Sequence, residues 1–284
     1  MASPAPSPAE ALALLRWYAE MGVDLALGDD AGDRFAESAA PAAPQRPSSS
    51  LSSPAPPTPA AEAPVRRASA PAPAPALHTA PPDAVAEAAR DLARSAQTLD
   101  DLRALLEKFD GCALKTTATR LVFADGAGDA DIMFIGEAPG REEDMQGKPF
   151  VGRSGQLLDR IMAAIGLDRT KAYIANAVPW RPPGNRDPTP QELTICRPFI
   201  ERQIELVDPK ILVCLGARSA TAILGVNEGI LKLRGRWMSY EVAGRPCRAM
   251  ATLHPAFLLR SPLQKRLVWR DFRAIAAELA RLQK

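Results

Sequence analysis

Asp131-Ile-Met-Phe-Ile-Gly136-Glu-Ala-Pro-Gly140 decides the fold. A short, continuous apolar run that stops at a glycine lacks the alternation of a half-exposed strand. It predicts a strand buried on both faces. Working outward, residues 172–178, 210–215 and 247–253 read the same way, with Gly216 closing the third. Between them, 157–165, 191–207 (started by Pro190), the segment after Gly216 and 264–282 read as helices. Strands alternating with helices predict a three-layer α/β/α fold with a central, mostly parallel four-stranded sheet. In such sheets ligands bind beyond the carboxyl ends of the strands.

The rest of the 284 residues is different in kind. Residues 41–82 hold 13 prolines in 42 positions, and no aromatic residue lies between Phe35 and Phe109. Such a stretch buries too little apolar surface to offset its ordering entropy. The expected organisation is a short N-terminal helical segment over 1–35, a disordered Pro/Ala/Ser-rich linker over 36–82, a helical lead-in over 83–108, and a folded domain over 109–284. The N-terminal helix falls at 8–21, with Ser7 as its cap. It either docks on a partner of unknown identity or is a marginal helix without a role.

Residues 1–108 carry 9 Lys+Arg and 14 Asp+Glu, a net −5, whereas 109–284 carry 26 and 19, a net +7. A basic domain behind an acidic arm fits a polyanionic partner, the alternative being ordinary surface charge. No signal peptide and no apolar run of membrane-spanning length is read in the sequence, so a cytoplasmic protein without membrane attachment is expected. Cys112, Cys196, Cys214 and Cys247 are widely spaced. In a chain without an export signal they read as buried thiols or metal ligands rather than disulfides.

Three loops at expected carboxyl ends carry chemistry. The first, Gly136-Glu-Ala-Pro-Gly140 through Gly147-Lys-Pro-Phe-Val-Gly152, has glycines and prolines that fix an irregular backbone. It lacks the spacing of a dinucleotide fingerprint or a P-loop. It is either a ligand loop or a structural turn. The second begins at Asn176 and runs through Pro179-Trp-Arg-Pro-Pro-Gly-Asn-Arg186. An Asn amide offers a donor beside an acceptor, matching one edge of a pyrimidine, or it satisfies local backbone. The third is Leu253-His-Pro-Ala-Phe-Leu-Leu-Arg260. His254 stands there as a candidate acid or donor.

Together, Gly-Glu-Ala-Pro-Gly at 136–140, Lys-Pro-Phe-Val-Gly at 148–152, Arg-Pro-Pro-Gly-Asn-Arg at 181–186 and His-Pro-Ala at 254–256 resemble the uracil-DNA glycosylase superfamily, most closely its iron-sulfur type, family 4. The resemblance runs over nearly all of 109–284 and implies a monomeric repair enzyme. Such an enzyme flips uracil from DNA and hydrolyses its N-glycosidic bond, leaving an abasic site. It implies that Phe150 stacks on uracil, that Asn176 reads its imide edge, and that His254 stabilises charge on the leaving base. It gives Glu137 an electrostatic role toward the sugar cation and water, with Ala138 beside it where some relatives carry Asp. It makes Glu143 the group that crowds thymine's methyl. Leu258, Leu259 and Arg260 are expected at the DNA, as apolar wedges are elsewhere. Lys148, the nearest lysine in these loops, belongs to a scaffold motif, so a monofunctional enzyme is expected.

The family pattern includes a [4Fe–4S] cluster on four cysteines. Here Cys112 and Cys196 match two ligand positions, while Phe109 and Trp180 stand at the other two. Two of four thiolates are missing, and the expectation is no cofactor, with apolar packing in its place. Two alternatives share the fold: a protein that binds uracil or damaged DNA without cleaving, and a covalent uracil-DNA trap. The branch of covalent traps is marked by an inserted basic, histidine-bearing loop, and no such insertion is read in this sequence.

Overall fold

The computed structural model describes residues 82–282. The expected helix at 8–21 and the linker, apart from Pro82, lie outside them. In chain order the elements are α1 (Pro82–Ser95), α2 (Leu99–Lys108), α3 (Leu114–Thr117), β1 (Ala124–Gly126), β2 (Ile132–Gly136), α4 (Arg141–Gln146), α5 (Arg153–Ala163), β3 (Tyr173–Asn176), α6 (Pro190–Val207), β4 (Ile211–Leu215), α7 (Ala217–Leu224), α8 (Ile230–Leu233), β5 (Trp237–Val242), β6 (Arg245–Thr252), α9 (Pro255–Arg260) and α10 (Lys265–Leu282).

The strands lie in the order β1-β3-β2-β4-β6-β5. The inner four, β3-β2-β4-β6, are mutually parallel and are the four expected strands. β1 and β5 add antiparallel edges. β1 has only three residues and β5 is half-exposed, so neither carries the continuous apolar signal of the inner strands. Alternation along β2 explains the layers. Met133 and Ile135 face a core with Ile200, Ile204 and Ile223 of α6 and α7. Ile132 and Phe134 face the opposite core, with Leu158 of α5 and Phe272 of α10. Phe134 and Phe272 stack with ring centroids 5.8 Å apart. Full burial of one such ring contributes about 1.5–3 kcal/mol.

The expected lead-in is two helices rather than one. Thr98 breaks it, accepting from the Asp101 amide while Asp101 reaches back to the Thr98 amide. That is a capping box, and it starts α2. Thr189 and Glu192 repeat the device at α6, with Pro190 in the first turn. α1 and α2 pack against α6 in a third apolar cluster that includes Cys112, Trp180, Cys196 and Phe199. β2 turns toward β3, while β4 turns the other way, toward β6. The chain therefore leaves a crevice where those turns diverge, beyond Gly136 and Leu215.

Candidate active site

A cleft of about 730 Å³ occupies that crevice. Glu137, Ala138 and Phe150 from the β2 loop, Asn176 from β3, and His254 and Arg260 after β6 all line it. The three loops singled out in the sequence therefore converge.

The β2 loop is held by its own carboxylates. Glu143, in the first turn of α4, accepts from the amides of Gly140 (3.1 Å), Val151 (3.0 Å) and Gly152 (2.9 Å). It lies buried against the cleft as the staple that closes the loop on itself. Asp144 beside it takes the amides of Thr119 and Arg120 and ties the segment after α3 to this loop.

Phe150 is one of few non-glycine residues with positive φ, at 54°. That backbone is costly for a bulky residue and needs outside support. Arg169 supplies it. Its guanidinium donates to the carbonyls of Pro149 and Phe150 and is fixed by Asp125 (2.7 Å) and Asp159 (3.0 Å). Gly155 completes the support, since a Cβ there would lie 1.7 Å from the Phe150 carbonyl oxygen.

Phe150 faces His254, with ring centroids 5.6 Å apart. At Gly136 a Cβ would lie 2.4 Å from Asn176 Oδ1 and 2.7 Å from the Phe150 ring. The missing side chain keeps open a slot between the aromatic face and the amide. Asn176 is buried, and its Oδ1 has no hydrogen-bond partner among the described residues. A buried acceptor left unpaired costs about 1–3 kcal/mol, so the site holds a vacancy for a donor. The alternative reading, an Asn spent on local backbone, does not account for that oxygen.

His254 Nδ1 accepts from the Ala256 amide at 3.1 Å. In a neutral ring the proton then sits on Nε2, leaving a donor. Burial, and then the nearby Arg260 charge, push its pKa down from 6.5 to about 4. The imidazole is therefore neutral near pH 7. Glu137 moves the other way. Burial raises its pKa, Arg218 opposes that from 3.6 Å, and Asp187 adds to it. Arg218 also pairs with Asp187.

Arg218 and Arg169 were not singled out in the sequence. Arg218 was legible: it stands two residues after Gly216, at the one carboxyl end whose loop was passed over. Arg169 lies in a loop before β3, and only the fold brings it under Phe150.

The α9 wedge is corrected in part. Leu258 is fully buried in the core between α5 and α10 and is unavailable to DNA. Helical periodicity turns Pro255 and Leu258 inward, while Leu259, 39% exposed, and Arg260 turn outward.

At the expected cluster position, Cys112 and Cys196 lie 3.8 Å apart, sulfur to sulfur, both buried. Trp180 is buried in the same cluster and Phe109 packs on it, its ring 5.0 Å from that of Phe199. Cys112 and burial hold the Cys196 thiol well above its ordinary pKa. Among the described residues no group of three or more His, Cys, Asp or Glu converges to hold a metal. Two thiols with two aromatic rings do not fit a cluster that needs four thiolates.

The chain is 38% identical over 183 residues to the type-4 uracil-DNA glycosylase of Archaeoglobus fulgidus, covering 63% of this chain and 92% of that one. It is 40% identical over 169 residues to the type-4 uracil-DNA glycosylase of Sulfurisphaera tokodaii, covering 58% and 77%. A type-4 uracil-DNA glycosylase of Thermotoga maritima is 40% identical over 157 residues, covering 55% and 80%. The family model described as the uracil DNA glycosylase superfamily matches residues 123–273. The chain belongs to the uracil-DNA glycosylase superfamily.

Proposed function

We propose that this protein is a monofunctional uracil-DNA glycosylase of base excision repair. The observation that carries the reading is the unpaired Asn176 Oδ1, buried across an open slot from Phe150. Uracil's imide N–H fills that vacancy, and the Asn176 amide donates to the adjacent carbonyl. A base must leave the stack to reach the slot, at a cost of a few kcal/mol. Stacking on Phe150 returns roughly 1–3 kcal/mol of it.

Cleavage sends the electron pair of the glycosidic bond to N1 of uracil and leaves a cationic sugar. The neutral His254 donates through Nε2 to the base oxygen that gathers negative charge. A fixed donor of this kind contributes about 3–4 kcal/mol. The Glu137 carboxylate stabilises the sugar cation and orients water. The water hydroxyl adds to the sugar carbon, its proton departs through Glu137 to solvent, and uracil takes up a proton at N1. Glu143 holds the wall that excludes thymine's methyl. Leu259 and Arg260 enter the DNA at the gap left by the base.

We read the chain as cluster-free, monomeric and cytoplasmic. The supporting observation for the first is the aromatic filling of the cluster position. Single-uracil oligonucleotides test the main reading. Wild type releases uracil, and His254→Ala loses most of that rate. Wild type that binds the oligonucleotide without releasing base would favour the non-cleaving alternative.

A further inference from the structure

The charged faces of α2 and α6 balance themselves. Arg103 pairs with Glu107, Arg197 with Glu201 and Arg202 with Glu205. The first half of α10 does not. Lys265, Arg266, Arg270 and Arg273 have no ion pair among the described residues. The only acid among them, Asp271, is buried and spent on Arg234 and Thr252. No acidic residue stands in the first turn. Lys265 and Arg266 instead occupy the turn where the helix dipole is already positive.

The pattern is also spatially ordered. Val268, Phe272, Ile275 and Leu279 of α10 face the core. Residues 266, 269, 270 and 273 follow helical spacing on the opposite side. Trp269, 44% exposed, thus stands among three guanidiniums that have no ion pair among the described residues. α10 follows α9 after one short turn at Pro262–Gln264, so the stripe starts a few residues past Arg260, which lines the cleft.

We propose that this stripe is a DNA-backbone surface, on which Arg266, Arg270 and Arg273 take phosphates of the duplex flanking the extruded nucleotide. The inference rests on the glycosylase reading only in requiring that DNA is the substrate. Seven residues of helix rise about 10 Å. One DNA strand presents a phosphate roughly every 3.4 Å along its axis, so the stripe matches about three. Trp269 lays its apolar ring against the sugar edge between them.

The test is the salt dependence of binding of the full chain to a uracil-containing duplex. Each phosphate contact adds about 0.9 to the slope of log K against log salt. The triple variant Arg266→Gln/Arg270→Gln/Arg273→Gln should therefore flatten that slope by about 2–3 and raise KM about tenfold, with kcat retained. Trp269→Ala should raise KM and leave the slope alone. The control variant Arg160→Gln/Lys171→Gln/Arg245→Gln removes the same charge from other exposed positions and should leave the slope near wild type. An unchanged slope in the α10 variant, or an equal change in the control, overturns the proposal. So does an α10 variant that binds DNA normally but loses affinity for polyglutamate, which would make the surface a protein-docking site. Single Arg270→Gln, expected to lower the slope by about 1, decides the matter should the triple variant not fold. Binding without uracil release would defeat the glycosylase reading and leave this comparison intact.

Discussion

Burial moves the pKa values of His254 and Glu137 in opposite directions, in each case toward the neutral form. His254 is neutral because burial and Arg260 lower its pKa to about 4. His254→Ala should lower kcat by about 10²–10³ with a small change in KM, measured by single-turnover uracil release. The fold favours the neutral ring. Its contribution to stability is thus present above the ordinary pKa of 6.5 and is lost as pH falls through about 4. Activity should therefore show no break near pH 6.5 from this residue. The proposed mechanism needs Glu137 ionised, and burial raises its pKa, so the acid limb of kcat should lie above the ordinary carboxylate value of 4.5. Arg218 is the group holding that pKa down. Arg218→Ala should move the acid limb to higher pH, and a limb that stays or falls would refute the pairing.

At the scale of elements, the loop over residues 147–152 is a strained segment held by a neighbour. Phe150 keeps its positive φ because Arg169 binds the carbonyls on either side of its peptide plane and Gly155 makes room beneath. Gly155→Ala puts a methyl 1.7 Å from a carbonyl oxygen and should displace the aromatic plate. The expected result is a KM rise of about tenfold or more, the scale of the 1–3 kcal/mol of stacking lost, with secondary structure preserved by circular dichroism. Arg169→Met should cost about 2 kcal/mol in chemical denaturation, because it removes the charged donor from the Pro149 and Phe150 carbonyls and leaves Asp125 with Lys148 alone. A variant as stable as wild type would mean that the staple is redundant.

At the scale of the molecule, the third apolar cluster joins α1 and α2 to α6 through Trp180, Cys112 and Cys196. Where relatives are expected to place a cluster, packing carries the junction here. Trp180→Ala should destabilise the domain by about 3–5 kcal/mol, read from a denaturant midpoint at constant m. Purified wild type should contain no iron, and about four irons per chain would overturn the cluster-free reading. Deletion of residues 1–81 should leave folding and uracil release intact, since the three apolar clusters and the cleft are built from residues 85–282.

The four inner strands, the α/β/α layering and the three loops were determined by the sequence alone. Continuous apolar runs such as 132–135 and glycine punctuation act locally, and parallel sheets place their ligands at one edge. Asn176 and His254 were legible because they stand at or just past strand ends, and Phe150 because it lies in a motif that carries the family resemblance. Tertiary structure alone decided how they act. The empty acceptor on Asn176, the tautomer of His254 and the strain at Phe150 depend on groups brought together from distant positions. So do the inward turn of Leu258 and the reach of Arg169, 19 residues from Phe150. Burial and hydrogen bonding across such separations leave no mark in local periodicity, because either partner alone fits an ordinary loop or helix.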